Sequence, residues 1–159
     1  MRLDHGFDPV FDHNSRILIL GTFPSVASRK EGFYYGNPQN RFWRMLSAVY
    51  EKEVPKSVAQ KKELLSACGA ALWDVVKSCE IKGSSDASIQ DVVPNDIAAL
   101  LSACPIERIY ANGGTAFALY RKYVLPVTGR EILRLPSTSP ANAVCSLEKL
   151  IFAWKTIAR

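Results

Sequence analysis

The sequence predicts an α/β fold: a three-layer α/β/α sandwich on a central, mainly parallel sheet of four strands. Three observations carry this. Short apolar runs of strand length alternate with longer segments of helical periodicity, the mark of successive βα units. The first apolar run is unbroken and ends at Gly, which suits a strand covered on both faces, as parallel strands are. The chain has 159 residues, 48% apolar and 22% charged, which suits one domain over residues 1–159 with a sizeable core.

Arg16-Ile17-Leu18-Ile19-Leu20-Gly21-Thr22 reads as the first strand. Asn40 to Tyr50 reads as a helix with Phe42, Met45, Leu46 and Val49 on one face. Phe42 and Trp43 are therefore expected in the core. Tyr34 and Tyr35 precede that helix in a loop with Gly and Pro, where exposure is more credible. A second helix covers Ser57 to Cys68, with Leu64 and Leu65 facing in. Gly69 to Val76 is the second strand, and Asn95 is placed to cap a helix from Ile97 to Leu101. Glu107 to Asn112 is the third strand, ended by Gly113-Gly114 and followed by a helix over 115–123. Glu131 to Leu135 is the fourth, ended by Pro136. Leu147, Leu150, Ile151, Trp154 and Ile157 share one face of a final helix. There is no internal repeat or low-complexity tract.

In open α/β sheets ligands bind at the carboxyl ends of the strands. The Pro-, Ser-, Gly- and Asn-rich segments after strands one, three and four should therefore converge on one pocket, although they lie far apart in sequence.

The formal net charge is +5 and the isoelectric point about 9.1, a mild excess that suits a polyanionic partner and equally a solubility charge. Cys68, Cys79, Cys104 and Cys145 include no CxxC pair, so no metal and no cofactor is expected. Asp4, Asp8 and Asp12 interrupt the apolar run that a secretory leader needs. No stretch reaches the roughly 18 apolar residues of a membrane span. A cytoplasmic monomer with reduced thiols is the expectation. Gly21-Thr22-Phe23-Pro24-Ser25 lacks the GxxxxGK[ST] pattern, which excludes a nucleoside triphosphate loop of that type.

Chemistry concentrates in Gly21 to Trp43. Tyr34, Tyr35, Phe42 and Trp43 flank Asn37, Gln39, Asn40 and Arg41. Rings beside amides are what a pocket for an extruded base requires, since the ring stacks on the base and the amides read its edge. The pattern Gly21-Thr22-Phe23-Pro24-Ser25 followed by Tyr34-Tyr35-Gly36-Asn37-Pro38-Gln39-Asn40-Arg41-Phe42-Trp43 resembles the first motif of the uracil-DNA glycosylase superfamily. It is most similar to the hypoxanthine-DNA (deoxyinosine) glycosylase branch. Gly69 to Asp74 with Gly83-Ser84-Ser85-Asp86, then Asn112-Gly113-Gly114, and Leu135-Pro136-Ser137-Thr138-Ser139-Pro140-Ala141-Asn142 resemble later segments of that branch, in order.

The resemblance implies a monofunctional glycosylase acting on DNA with a deaminated base, most of all hypoxanthine. Two departures bear on mechanism. Many superfamily members place Asp or Asn at the third position of the first turn, to hold the attacking water, and His or Asn at the start of the last motif; here these are Phe23 and Leu135. The only histidines, His5 and His13, precede the first strand. The resemblance shifts the catalytic role to Asn40, whose amide oxygen could hold a water; a helix cap is the alternative. Tyr35 and Phe23 are the expected base-binding residues with Asn112, whose amide can pair with a carbonyl and an adjacent ring N–H. Ser25, Ser137, Thr138, Ser139 and Asn142 are candidates for DNA contact, with turn formation the alternative for the serines. Asp74 and Asp86 are candidate carboxylates for steadying the sugar cation. Arg29, Lys30, Lys77, Lys82 and Arg134 could track phosphates. The last motif offers no bulky apolar wedge at Thr138-Ser139-Pro140. A uracil- or mismatch-specific enzyme and a non-catalytic DNA-binding relative are the alternatives.

Overall fold

The computed structural model describes residues 2–81 and 89–159. Its elements in chain order are β1 (Arg2–Asp4), β2 (Ile17–Gly21), α1 (Val26–Glu31), α2 (Phe42–Val49), α3 (Val58–Cys68), β3 (Ala70–Asp74), β4 (Val76–Glu80), β5 (Gln90–Pro94), α4 (Ile97–Ala103), β6 (Arg108–Asn112), α5 (Gly114–Tyr123), α6 (Leu125–Thr128), β7 (Leu133–Leu135) and α7 (Leu147–Trp154), with a 3₁₀ turn over Lys155–Ala158.

The main sheet has the order β3-β2-β6-β7, and every pairing in it is parallel. These are the four strands expected. Alternation along β2 sorts its side chains between two cores. Ile17 and Ile19 pack with Phe42, Met45 and Leu46 of α2, Leu64 and Leu65 of α3, and Leu150 and Trp154 of α7. Leu18 and Leu20 pack with Ile97 and Leu100 of α4 and Ala116 and Tyr120 of α5. All five residues of β2 are buried, which is why the run is unbroken in sequence. The three layers follow from that one strand having two apolar faces.

A second, antiparallel sheet, β1-β4-β5, was not foreseen. Its strands are short and half-exposed, so they carry no apolar run to read. The chain leaves β3 at Asp74, and Val76 already belongs to the second sheet; Gly69 to Val76 is thus a strand and the start of another. The Val75 N–H donates to Gly21 O and the Val76 N–H to Thr22 O, which ties this crossover to the end of β2.

The cap of α4 is Asp96, whose side chain accepts from the Ala99 N–H at 3.1 Å. Asn95 is buried and donates from Nδ2 to Asp74 O at 2.8 Å. The adjacent carboxylate is the better acceptor for helix N–H groups, leaving the amide to donate elsewhere. No helix among the described residues is long and apolar enough to cross a membrane, and the four cysteines are free.

Candidate active site

The carboxyl ends of the parallel strands open into a cavity of about 660 Å³. The turn after β2 supplies Gly21, Thr22, Phe23, Pro24 and Ser25; β3 ends on Asp74; β6 ends on Asn112; and the loop after β7 supplies Ser137 through Asn142. Tyr34, Tyr35, Asn37 and Asn40 close the side between α1 and α2. The sheet thus gathers Asn40, Tyr35, Asn112, Phe23, Ser25, Asp74, Ser137, Thr138, Ser139 and Asn142 around one space. Asp86 and Lys82 lie outside the described residues.

A chain of hydrogen bonds joins the two asparagines. The Asn112 Oδ1 accepts from the Thr138 N–H at 3.0 Å, and its Nδ2 donates to Thr138 Oγ1 at 3.0 Å. The Thr138 hydroxyl then donates to Asn40 Oδ1 at 2.8 Å, which also accepts from the Phe42 N–H at 3.0 Å. Backbone N–H groups can only donate, so both amides have a fixed orientation. Asn112 keeps one N–H and one lone pair for a ligand. Asn40 has spent both lone pairs of Oδ1 and presents its Nδ2 donors. The oxygen expected to hold a water is thus engaged by Thr138 and Phe42 in this structure. Asn40 is not the N-cap of α2, which is Arg41 with no side-chain cap; it accepts from the N–H of the first helical residue, Phe42.

Thr138 is fully buried. Its hydroxyl links the two asparagines from within the site. The loop serines use part of their capacity locally: Ser137 Oγ accepts from the Ser139 N–H at 3.1 Å, and Ser139 Oγ from the Ala141 N–H at 3.2 Å. Ser25 caps α1 by accepting from the Ser28 N–H. Asn142 donates from Nδ2 to Ser137 O at 3.0 Å.

The aromatic residues divide. Phe42 and Trp43 are buried as expected, but so is Tyr34, at 2% exposure. The Tyr34 hydroxyl donates to Asp8 O at 2.8 Å, and burial pushes its pKa far above the ordinary phenol value. Tyr35 sits at φ 54°, a left-handed backbone that costs a non-glycine residue about 1–3 kcal/mol. Its ring stacks on Phe42 at 4.1 Å between centroids and 20° between planes. One ring face is thus committed to the core.

Gly21 is required by close approach. A Cβ there would lie 2.4 Å from Asp74 Oδ1 and 3.0 Å from the Tyr35 hydroxyl. Gly113, at φ 97°, would likewise bring a Cβ within 3.0 Å of Ser137 Cβ.

Two structural features of the site escaped the sequence. Arg41 donates to three carbonyls of the loop after β7: Cys145 O from Nη1, and Ser139 O and Asn142 O from Nη2, each of these at 3.0 Å. Its backbone N–H also donates to Thr138 O at 3.1 Å. At the edge of this clamped loop Val144 is 88% exposed. The second feature is His5, whose Nε2 lies 2.8 Å from Asp74 Oδ2. A three-residue strand without an apolar run gave no signal that the residue after β1 would reach the carboxylate at the end of β3.

The geometry has a counterpart among known proteins. The family model for the uracil DNA glycosylase superfamily matches residues 9–158. A hypoxanthine DNA glycosylase of Methanosarcina acetivorans is 37% identical over 141 residues, covering 88% of this chain and 89% of the relative. A protein of the same name from Methanosarcina barkeri is 34% identical over 138 residues, covering 86% and 87%. The solution NMR structure of a Methanosarcina acetivorans protein assigned by name to the uracil DNA glycosylases superposes with a TM-score of 0.81 at 33% identity, over 100% of both chains. With a family match over nearly its full length and the strand-end cavity lined in the order its motifs predict, the chain belongs to the uracil DNA glycosylase superfamily.

Proposed function

We propose that this chain is a monofunctional DNA glycosylase that extrudes a deaminated base, hypoxanthine first among them, and hydrolyses its N-glycosidic bond to leave an abasic site. The observation that carries the reading is the fixed amide of Asn112 in a cavity roomy enough for a purine. Its free lone pair and free N–H complement the O6 and N1–H of hypoxanthine. Adenine presents the opposite pair, so a locked amide leaves a buried mismatch, which is how such sites discriminate strongly. The relatives named hypoxanthine DNA glycosylase support the same substrate.

Cleavage passes through an oxocarbenium-like sugar. The C1′–N9 bond breaks and its electron pair leaves with the base. Water then bonds to C1′ and gives up a proton, while the released base takes one from solvent. Asn40 meets the departing base with its Nδ2 donors, where negative charge develops. Tyr35 and Phe23 border the base. Ser25, Ser137, Ser139 and Asn142 line the mouth, where phosphates pass. Arg134, whose guanidinium stands over Gly114 at the start of α5, adds a cation to helix N–H groups there. Val144 is the apolar side chain placed to enter the stack beside the vacated position.

The test is a set of duplex oligonucleotides containing inosine, uracil or xanthine. Inosine DNA should yield free hypoxanthine and a strand that breaks only on alkali treatment. Asn40→Ala should lower single-turnover release by about 10²–10³-fold with DNA affinity little changed. Release of uracil but not hypoxanthine would sink the substrate assignment.

A further inference from the structure

Phe23 and Leu135 leave the site without the groups that usually hold water and polarise the base, yet the cavity wall contains one carboxylate. Asp74 is 4% exposed, and among the described residues it is the only acidic one lining the cavity, with no Lys, Arg or His beside it in that lining. Its two oxygens have separate surroundings. Oδ1 lies over Gly21, at the cavity floor, where only a residue without a Cβ leaves room for it. Oδ2 lies 2.8 Å from Nε2 of His5, itself 4% exposed.

The hydrogen-bond count around His5 selects its tautomer. Nδ1 is buried without a partner among the described residues, in a wall made by Phe7 at 4.5 Å, Tyr34 at 5.8 Å and Phe23 at 6.2 Å between ring centroids. A bare lone pair is tolerated there more readily than a buried N–H with no acceptor. The ring therefore carries its proton on Nε2 and donates it to Asp74. That bond occupies Oδ2 and leaves Oδ1 directed into the cavity. His5 is held in turn by its backbone N–H, which donates to Lys77 O at 2.8 Å, and Asp74 by Asn95 on its carbonyl.

We propose that His5 is a positioning residue for catalysis: its Nε2–H fixes the Asp74 carboxylate so that Oδ1 faces C1′ of the extruded nucleotide. There Oδ1 stabilises the sugar cation and accepts the proton lost by the attacking water. The pair thus supplies, from the neighbouring strand and the N-terminal segment, the anionic group that the first motif lacks at Phe23. This rests on the glycosylase reading above.

Single-turnover release of hypoxanthine from inosine duplex, with DNA dissociation constants and thermal melts, tests it in wild type, His5→Phe, His5→Gln and Asp74→Asn. Gln places an N–H donor close to the position of Nε2, whereas Phe keeps bulk alone. His5→Phe should lose about 10- to 100-fold in rate, as when an outer partner of a working group is removed, with DNA affinity within a few-fold of wild type. His5→Gln should recover most of that loss. Adding His5→Phe to Asp74→Asn should cost nothing further. A His5→Phe protein that is fully active, or a folded His5→Gln protein as slow as His5→Phe, overturns the inference while leaving the glycosylase reading intact. A wild type that releases no base from any of the substrates overturns both together.

Discussion

Thr138 is where the site is most sensitive to a single atom. Its hydroxyl accepts from Asn112 and donates to Asn40, so one oxygen links the two amides whose orientations the Thr138 and Phe42 N–H groups fix. Thr138→Val keeps the shape and removes that oxygen. Leaving two buried amide groups short of a partner costs about 1–3 kcal/mol, which should appear as a lower melting temperature. The backbone N–H at 138 still donates to Asn112 Oδ1 in this variant, so the amide keeps its orientation. Discrimination between inosine and adenosine should therefore stay within a few-fold of wild type in competition assays; a collapsed ratio would mean that the hydroxyl, and not the backbone N–H, locks the amide. Sequence placed this residue in the last motif as a candidate for DNA contact. Burial depends on how the loop folds back over β6, which no local pattern reports.

At the level of the element, the loop after β7 owes its shape to Arg41. Five-donor planar geometry lets one guanidinium reach three carbonyls, which an ammonium on a flexible stem does not reproduce. Arg41→Lys is therefore expected to act as a loss: a rate about 10- to 100-fold lower from misplacement of the loop and increased protease cleavage within 139–146. Val144→Ala should weaken DNA binding and base extrusion, read by fluorescence of a base analogue at the target position, without moving the melting temperature. A Lys variant with wild-type kinetics would separate the clamp from catalysis. The helices themselves were legible because amphipathic spacing is local: Phe42, Met45 and Leu46 mark α2, and Leu150 and Trp154 mark α7. The β1-β4-β5 sheet was not, since its strands are short and their partners distant.

For the whole molecule, the +5 charge is modest and the cavity itself holds a carboxylate. DNA affinity should therefore rest on few phosphate contacts. With about two to four of them, log K should fall against log salt with a slope of about −2 to −4. Titration of inosine duplex by fluorescence anisotropy from low to moderate salt measures this. A slope steeper than about −6 would require a basic surface beyond Arg29, Lys30, Lys77 and Arg134. Burial also pushes the Cys68 thiol up to about 12 and raises that of Cys104, so both stay protonated, and packing keeps these thiols out of the chemistry.

The sequence by itself determined the four parallel strands, the first because a strand buried on both faces is continuously apolar and the others by their alternation with helical segments, and strand-end binding then fixed which segments share a pocket. It also held the motif from Gly21 to Trp43 that marks the superfamily. Only the tertiary structure decided what those residues can do. The Asn40 oxygen is spent because Thr138 and Phe42 reach it, and Asp74 faces the cavity because Gly21 makes room. His5 becomes its partner because an antiparallel strand, unmarked in sequence, carries it 69 positions along the chain to meet it. Apolar periodicity is a property of neighbours in sequence, whereas a hydrogen bond across the cavity depends on where separate elements come to rest.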